Sequence, residues 1–362
     1  MNRNTGMNAG QIIGTLSGQQ VVGLDIAKHV FQLHTVDMAT GEIINVQLKR
    51  ARVMEHFANK VPSLIAIEAC GGAHHWARDL TALGHSVRLL HAKSVRPFVS
   101  GNKTDATDAR AIWLAVQQPG TKFVGIKSAA QQATLTLHRQ RELLMKMRTM
   151  QTNAFRGLLY EFGATFAKGN KALFKEVEQA LEDLAAQLPQ TVRDSLREQL
   201  ERIKAMGMDM QAIEKRLALQ LKADPQMQRI HQIPGVGLLT ATAAIATMGQ
   251  ASAFKSGREF CAWLGLVPSQ TGTGGKVRLG PISKRGDTQL RTLLIHGARS
   301  VLAHAKEPGA WLEALKGRRP ANVVIVAQAA KMARTIWAVT AKQQDYQRGF
   351  KSVRPNAVAQ MA

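Results

Sequence analysis

Acidic residues are scarce in this chain: 25 Asp and Glu stand against 48 Lys and Arg over 362 residues. The formal net charge is +23 and the isoelectric point lies near 10.6, which argues for a polyanionic partner, nucleic acid before an anionic membrane surface. Aromatics make up only 5% of the chain and form no RRM-type signature, so base stacking is not the main means of recognition. Cysteine is rarer still. Cys70 and Cys261 lie far apart with no C-x-x-C pair, which excludes a disulfide framework and a zinc ribbon. The run CGGAHH gathers Cys70, His74 and His75, but a structural zinc site needs a fourth ligand, and a buried thiol beside a polar loop is the plainer reading. Long apolar runs are missing too. The start MNRNTGMNAG has no signal-peptide core, and NVVIVAQAAKMARTIWAVTA is interrupted by Lys331 and Arg334. The composition predicts a soluble cytoplasmic protein, with hydrophobic residues at 45% sufficient for real cores.

The pattern along the chain changes twice. Over 18–127, VVGLDIA, VFQLHTVD and GEIINVQLKR read as a meander of strands. They are followed by a helix in ARVMEHFANKV, a strand in SLIAIEACGG, a helix in HHWARDLTALG stopped by Gly84, a strand in HSVRLLHA and a helix in KTDATDARAIWLAVQ. The order βββαβαβα fits one mixed sheet covered by helices, an α/β domain. Over 128–230 glycine nearly disappears, and apolar residues recur three and four apart between charges, as in an antiparallel helical hairpin or coiled coil that serves as a spacer or dimerisation arm, or equally in a helical bundle packed on its own domain. Over 231–346 the chain is mostly helical, with SQTGTGGKVRLGPISKRGD read as a loop rich in Gly, Thr and Lys, and 347–362 is a tail.

Two strands end on a carboxylate. VVGLD places Asp25, and LIAIE places Glu68, where an apolar residue would continue the run. An isolated charge there costs several kcal/mol even after relaxation, so it needs a partner or a metal. Carboxylates at the ends of neighbouring strands converge above a helix-covered sheet. Asp105 and Asp108 in KTDATDAR lie three apart, which on a helix puts them on one face. Like charges that close repel unless a cation lies between them. Four carboxylates on two strands and a helix suit one or two Mg²⁺ ions, hard cations that clamp the oxygens of a phosphoryl transfer.

GLDIAKHVFQLH, IEACGGAHHWARDL, GNKTDATDARAIW, IPGVGLLTA and FCAWLGLVPSQTGTGGKVRLGPISKRGDTQLRTLLIHGARSVL resemble, in order and across nearly the whole chain, the DEDD-type insertion-sequence transposases of the family numbered one hundred and ten, together with its Piv-type DNA invertases. The resemblance implies a RuvC-like, RNase H-type domain over 18–127 whose Asp, Glu, Asp, Asp site maps onto Asp25, Glu68, Asp105 and Asp108. It also implies a helical C-terminal transposase domain that supplies a serine nucleophile, and a bridge RNA that pairs with donor and target DNA. This chain departs at the serine. Thr273 aligns with it, and Thr271 and Ser269 are the alternatives within the same short loop. A threonine hydroxyl can attack when activated, although its methyl restricts χ1.

The rest of the binding surface is read from charge and glycine. IPGVG resembles a helix-hairpin-helix turn, in which Gly235 and Gly237 would let backbone N–H groups approach a phosphate. Lys276, Arg278, Lys284, Arg285 and Arg291 cluster beside the reactive loop and would neutralise the scissile phosphate and its flanks. Lys93, Arg96 and Lys103 precede the paired aspartates and would steer a strand toward them. The expected partners are DNA, a guide RNA and further copies of the chain in a dimer or tetramer, in the bacterial cytoplasm at the nucleoid, with no membrane. The alternatives are a Piv-type invertase, a RuvC-like nuclease that uses water, and an inactive nucleic-acid-binding remnant.

Overall fold

The computed structural model describes residues 19–102, 104–307 and 309–350, so Lys103 and residues 351–362 of the tail lie outside the described residues. The chain divides between Ala130 and Gln131 into two compact units.

In the first unit, β1 (Val21–Ile26), β2 (Val30–Val36) and β3 (Ile43–Lys49) form an antiparallel meander. Helix α1 (Val53–Ala58) leads to β4 (Leu64–Glu68), α2 (Ala73–Ala82) and β5 (Ser86–Leu90). The short α3 (Ala92–Val95), α4 (Asp105–Val116) and β6 (Phe123–Val124) complete the unit. The sheet order is β3-β2-β1-β4-β5-β6, with β1, β4 and β5 mutually parallel and β6 antiparallel to β5. The expected βββαβαβα order holds, and α3 and the two-residue β6 are added to it. Both are too short to display a hydrophobic period.

The central strands are apolar on both faces because both are covered. Val22, Leu24, Ile65, Ile67 and Leu89 pack with Phe31, Phe57 and Trp76 on one side. Val21, Leu64, Ala66 and Leu90 pack with Ala111 and Ile112 of α4 on the other. Strand alternation puts Gly23 on the α4 side. There a Cβ would collide with the Ala109 carbonyl and lie 2.7 Å from the Trp113 nitrogen. The Trp113 indole donates to the Val21 carbonyl at 3.2 Å. Helix α4 therefore runs antiparallel along β1, its later turns over Val21 and its first turn toward Asp25. Gly23→Ala should cost about 3 kcal/mol, at the upper end of overpacking, because backbone cannot yield as a flexible side chain does. Denaturant unfolding of the variant checks this, and an unchanged midpoint would refute the close approach.

The second unit opens with α5 (Ala129–Tyr160), α6 (Asn170–Asp183) and α7 (Gln190–Ala223). Thr134 donates to Gln220 at 3.0 Å, Arg141 pairs with Glu214 at 2.7 Å, and Gly207 faces Arg148. Numbers rising on one helix meet numbers falling on the other, so α5 and α7 form an antiparallel pair. Phe155 and Leu159, Leu173, Val177 and Leu181 of α6, and Leu200 and Ile203 of α7 close its far end. Outside this seam Met145, Met150, Met208 and Leu219 remain exposed.

The unit continues through α8 (Pro225–His231), α9 (Leu238–Met248), α10 (Gly257–Trp263), β7 (Pro268–Thr273), β8 (Lys276–Ile282), α11 (Thr288–His304), α12 (Ala310–Lys316) and α13 (Ala321–Lys342). Ile230, Ala244, Phe260, Leu294, Ala333 and Ile336 belong to its core. Among the described residues α13 is the one helix long and apolar enough to cross a membrane by length and composition, and half of that stretch is buried inside the protein.

The segment expected to be a loop is a β-hairpin. Lys276 to Leu279 alternate charged and apolar residues, and Gly274 and Gly275 have φ of 54° and 77°. That is the backbone a two-residue turn between twisted strands requires.

His138 pins α5 to α9. Its ring is buried, and its Nε2 lies 2.9 Å from the Thr242 hydroxyl, which itself donates to the Leu238 carbonyl at 2.9 Å. The ring is thus the donor in the first of these bonds. Burial, helped by Arg141 and opposed by Asp287, holds its pKa down to about 4. An unfolded histidine titrates near 6.5, so between these values the unfolded chain binds more protons. Stability should be full above about pH 6.5 and fall by about 3 kcal/mol as the pH drops toward 4. Unfolding free energies measured across this range should show that slope in the native chain and lose it in His138→Gln.

Candidate active-site residues

Strand register brings the first two carboxylates together. In the parallel β1/β4 ladder Leu24 pairs with Ile67, so the next residues, Asp25 and Glu68, lie side by side at the carboxyl ends of the strands. Alternation puts both on the α4 face, in line with Gly23 and Ala66. Both are half-buried. Cys70 follows two residues later. It is exposed, contrary to the buried thiol expected, because its strand has ended and it lies in the turn before α2. Partial desolvation pushes its thiol pKa up, and the Glu68 and Asp25 carboxylates push it further, which puts both within electrostatic reach of one sulfur atom.

The second pair stands on the first turn of α4. Thr104 caps that helix: its hydroxyl accepts from the Thr107 N–H at 3.2 Å, and the Thr107 hydroxyl accepts from the Thr104 N–H at 2.9 Å. The reciprocal threonine box supplies the cap, so Asp105 and Asp108 are not needed for it. Among the described residues the side chains of Glu68, Asp105 and Asp108 take part in no hydrogen bond or ion pair. The antiparallel course of α4 along β1 directs this turn to the same end of the sheet as Asp25 and Glu68. The four form two pairs rather than one closed cluster: among the described residues no group of three or more His, Cys, Asp or Glu is assembled to hold a metal ion. Lys93 and Arg96 are exposed beside this end, carried by α3 and the turn after it, and Val95 between them packs in the α4 cluster.

The hairpin sorts the three hydroxyl candidates. Thr273 pairs with Lys276 and Thr271 with Arg278, while Gly272 pairs with Val277 and Gln270 with Leu279. Alternation therefore gives one face two threonines and two cations, and the other Val277 and Leu279, which are 58% and 70% exposed. Ser269 is engaged, since its hydroxyl donates to the Pro281 carbonyl at 3.0 Å. Lys284 and Arg285 are exposed at the foot of the hairpin.

Arg291, expected to meet phosphates, is instead only 7% exposed. Its guanidinium donates to the carbonyls of Leu264 and Arg285 and to the Thr288 hydroxyl, so its donors are turned inward. Gly235 has φ of 85° and packs against Gly297 of α11, where a Cβ would lie 2.8 Å from the carbonyl oxygen. That close packing accounts for this glycine, whereas Gly237 stands exposed at the start of α9 with open space around it. Gly23 escaped attention in the sequence, although a glycine inside a strand pattern is the usual mark of a close backbone approach.

Comparison with known proteins gives the chain its relatives. Residues 227–311 match the model described as "Transposase IS116/IS110/IS902 family", and residues 22–163 match the DEDD-type IS110 model described as "Transposase". A "Probable family 20 transposase" of Pseudomonas aeruginosa is 45% identical over 91% of this chain and 98% of its own length. The transposase for insertion sequence element IS1111A of Coxiella burnetii is 39% identical over 91% of this chain and 92% of its own. That for IS1328 of Yersinia enterocolitica is 35% identical over 88% and 96%. Carboxylates at adjacent strand ends and a basic, hydroxyl-bearing hairpin thus occur in a chain that belongs to the IS110 family of insertion-sequence transposases, enzymes that cut and rejoin DNA.

Proposed function

We propose that the chain is a bridge-RNA-guided recombinase in which Asp25, Glu68, Asp105 and Asp108 hold Mg²⁺ and Thr273 is the attacking hydroxyl. The observation that carries this reading is the in-step β1/β4 register, which sets two half-buried carboxylates side by side at the end of the sheet toward which α4 directs two more. The meander followed by parallel strands supports a RuvC-like, RNase H-type unit. The donor set fits a hard divalent cation, since it is all carboxylate and the side chains of Glu68, Asp105 and Asp108 make no hydrogen bond or ion pair among the described residues. Bound there, Mg²⁺ would polarise the scissile phosphate and stabilise the departing oxygen.

The chain's own groups carry the remainder. Thr273 Oγ1 forms a bond to phosphorus as the bond from phosphorus to the departing sugar oxygen breaks, and the hydroxyl proton leaves to a base. The departing oxygen is protonated in turn. A hydroxyl from another strand end then displaces Thr273 and rejoins the backbone. Lys276 and Arg278, on the same face as Thr273, neutralise the phosphate, while Lys93 and Arg96 guide the strand at the acidic end. Sequence reading is left to RNA, in keeping with the scarcity of aromatics. The exposed methionines and leucines of α5 and α7 support self-association of the arms, and the work takes place at the nucleoid in the cytoplasm.

The test is covalent trapping. Purified protein, Mg²⁺, the RNA transcribed beside the gene and labelled element-end DNA are combined and run on a denaturing gel. A protein–DNA band that requires the RNA supports the whole reading. A band indifferent to RNA removes the guide, and cleavage without a band replaces Thr273 with water as the nucleophile.

A further inference from the structure

The hairpin stands on a neck that is tighter than a loop attachment needs. Where the chain enters, Gly265 has φ of 71°, and where it leaves, Gly286 has φ of 74°. A Cβ on Gly265 would collide with Arg285 backbone, and one on Gly286 with the Trp263 carbonyl, so the two crossings touch main chain to main chain. Lys284 N donates to the Gly265 carbonyl at 3.2 Å, and Ser283 N to the Val267 carbonyl at 2.9 Å. Lys284 has φ of 52°, a left-handed conformation in a non-glycine residue, which persists only where its surroundings enforce it.

Arg291 supplies that enforcement. It lies in the first turn of α11, where the helix dipole disfavours a cation, and it is nonetheless buried. One terminal nitrogen bridges the entering segment at the Leu264 carbonyl, 3.0 Å away, and the leaving segment at the Arg285 carbonyl, 2.8 Å away. The other donates to the Thr288 hydroxyl at 3.2 Å. A rigid fork with donors in fixed directions suits this bridge, and a lysine cannot reproduce it.

We propose that Arg291 is a positioning residue for strand transfer: by bridging the two crossings of the neck it fixes the direction of the hairpin and so the place of its hydroxyl and cationic face. The proposal rests on the reading that the hairpin carries the nucleophile. Arg291→Lys keeps the charge and loses the fork. At saturating element-end DNA the single-turnover rate of adduct formation should fall by about 10- to 100-fold, the effect of a small misplacement at a reacting centre. DNA affinity should stay near the native value, the thermal transition should fall because two carbonyls at the neck lose their donors, and hydrogen exchange at the Ser283 and Lys284 amides should quicken. Thr288→Val, which removes only the third bond from an exposed position, is the milder variant should the first fail to fold. It should lower the rate about fivefold, the worth of one hydrogen bond.

Rate, affinity and stability falling together in Thr288→Val would overturn the proposal in favour of a merely structural arginine. An unchanged rate with faster amide exchange would overturn it as well. Thr273→Ala separates the two readings: an adduct that survives it sinks the nucleophile assignment, while the rate and exchange at the neck still judge Arg291.

Discussion

Asp105→Asn and Asp108→Asn should each lower DNA strand transfer by about a thousandfold or more while leaving the unfolding transition almost where it is. Activity should fall because each substitution removes an anionic oxygen from the proposed donor set of four, and a bound divalent cation contributes several kcal/mol to charge stabilisation in phosphoryl transfer. Stability hardly moves because two opposing effects are of similar size. An aspartate in the first turn of a helix gains about 0.3–1 kcal/mol from the dipole. A like-charged neighbour three residues on costs about 0.2–0.5 kcal/mol. Neither aspartate supplies the cap, which belongs to Thr104 and Thr107. Helix α4 should therefore stay seated on β1 through Gly23 and Trp113 in both variants. The pair of measurements is a denaturing-gel cleavage assay and a thermal melt. Loss of activity with a large drop in melting temperature would mean that the aspartates hold the helix rather than serve the chemistry.

Thr273→Ala should abolish the covalent protein–DNA band, and Thr273→Ser should keep it and speed its formation. Alanine removes the hydroxyl oxygen proposed to form the phosphoester. Serine keeps that atom and drops the methyl that restricts χ1 and crowds an in-line approach. Thr271 is the informative control, since it shares the cationic face but sits two register pairs farther from the turn, opposite Arg278. Its alanine variant should retain the band. If Thr271→Ala loses the band and Thr273→Ala keeps it, the nucleophile moves along the same face by two residues. Peptide mapping of the trapped adduct reads the attachment point directly. Ser269 is a poor candidate on geometry, because its proton is donated to the Pro281 carbonyl and its hydroxyl packs where Gly280 leaves room.

Much of the acidic end was legible as local anomalies. Asp25 and Glu68 stand out because a carboxylate at the end of an apolar strand has a desolvation cost that any reader of the string can see. Asp105 and Asp108 stand out through a spacing that only a helix makes meaningful. The antiparallel arm is equally readable, since Thr134 to Ile203 carry a period of three and four with almost no glycine. The hairpin was missed because it is exposed on both faces, so its strands lack the apolar stripe that marks a half-buried sheet, and glycine and threonine there look like loop. Arg291 was misread for a related reason: among neighbouring cations nothing local tells which one faces inward.

By itself the sequence determined the excess of positive charge, the order of the main elements of the first unit and the residue types present at each strand end. These are set by composition and by neighbours within a few positions. Only the tertiary structure decided that Asp25 stands beside Glu68, that Thr271 and Thr273 share a face with Lys276 and Arg278, and that Arg291 turns inward to join Leu264 to Arg285. Each of those facts depends on strand register or on burial between segments distant in the chain. A one-residue slip in register would turn the strand side chains among them to the opposite face while leaving the local pattern unchanged, and Arg291, on a helix, is turned inward by packing alone.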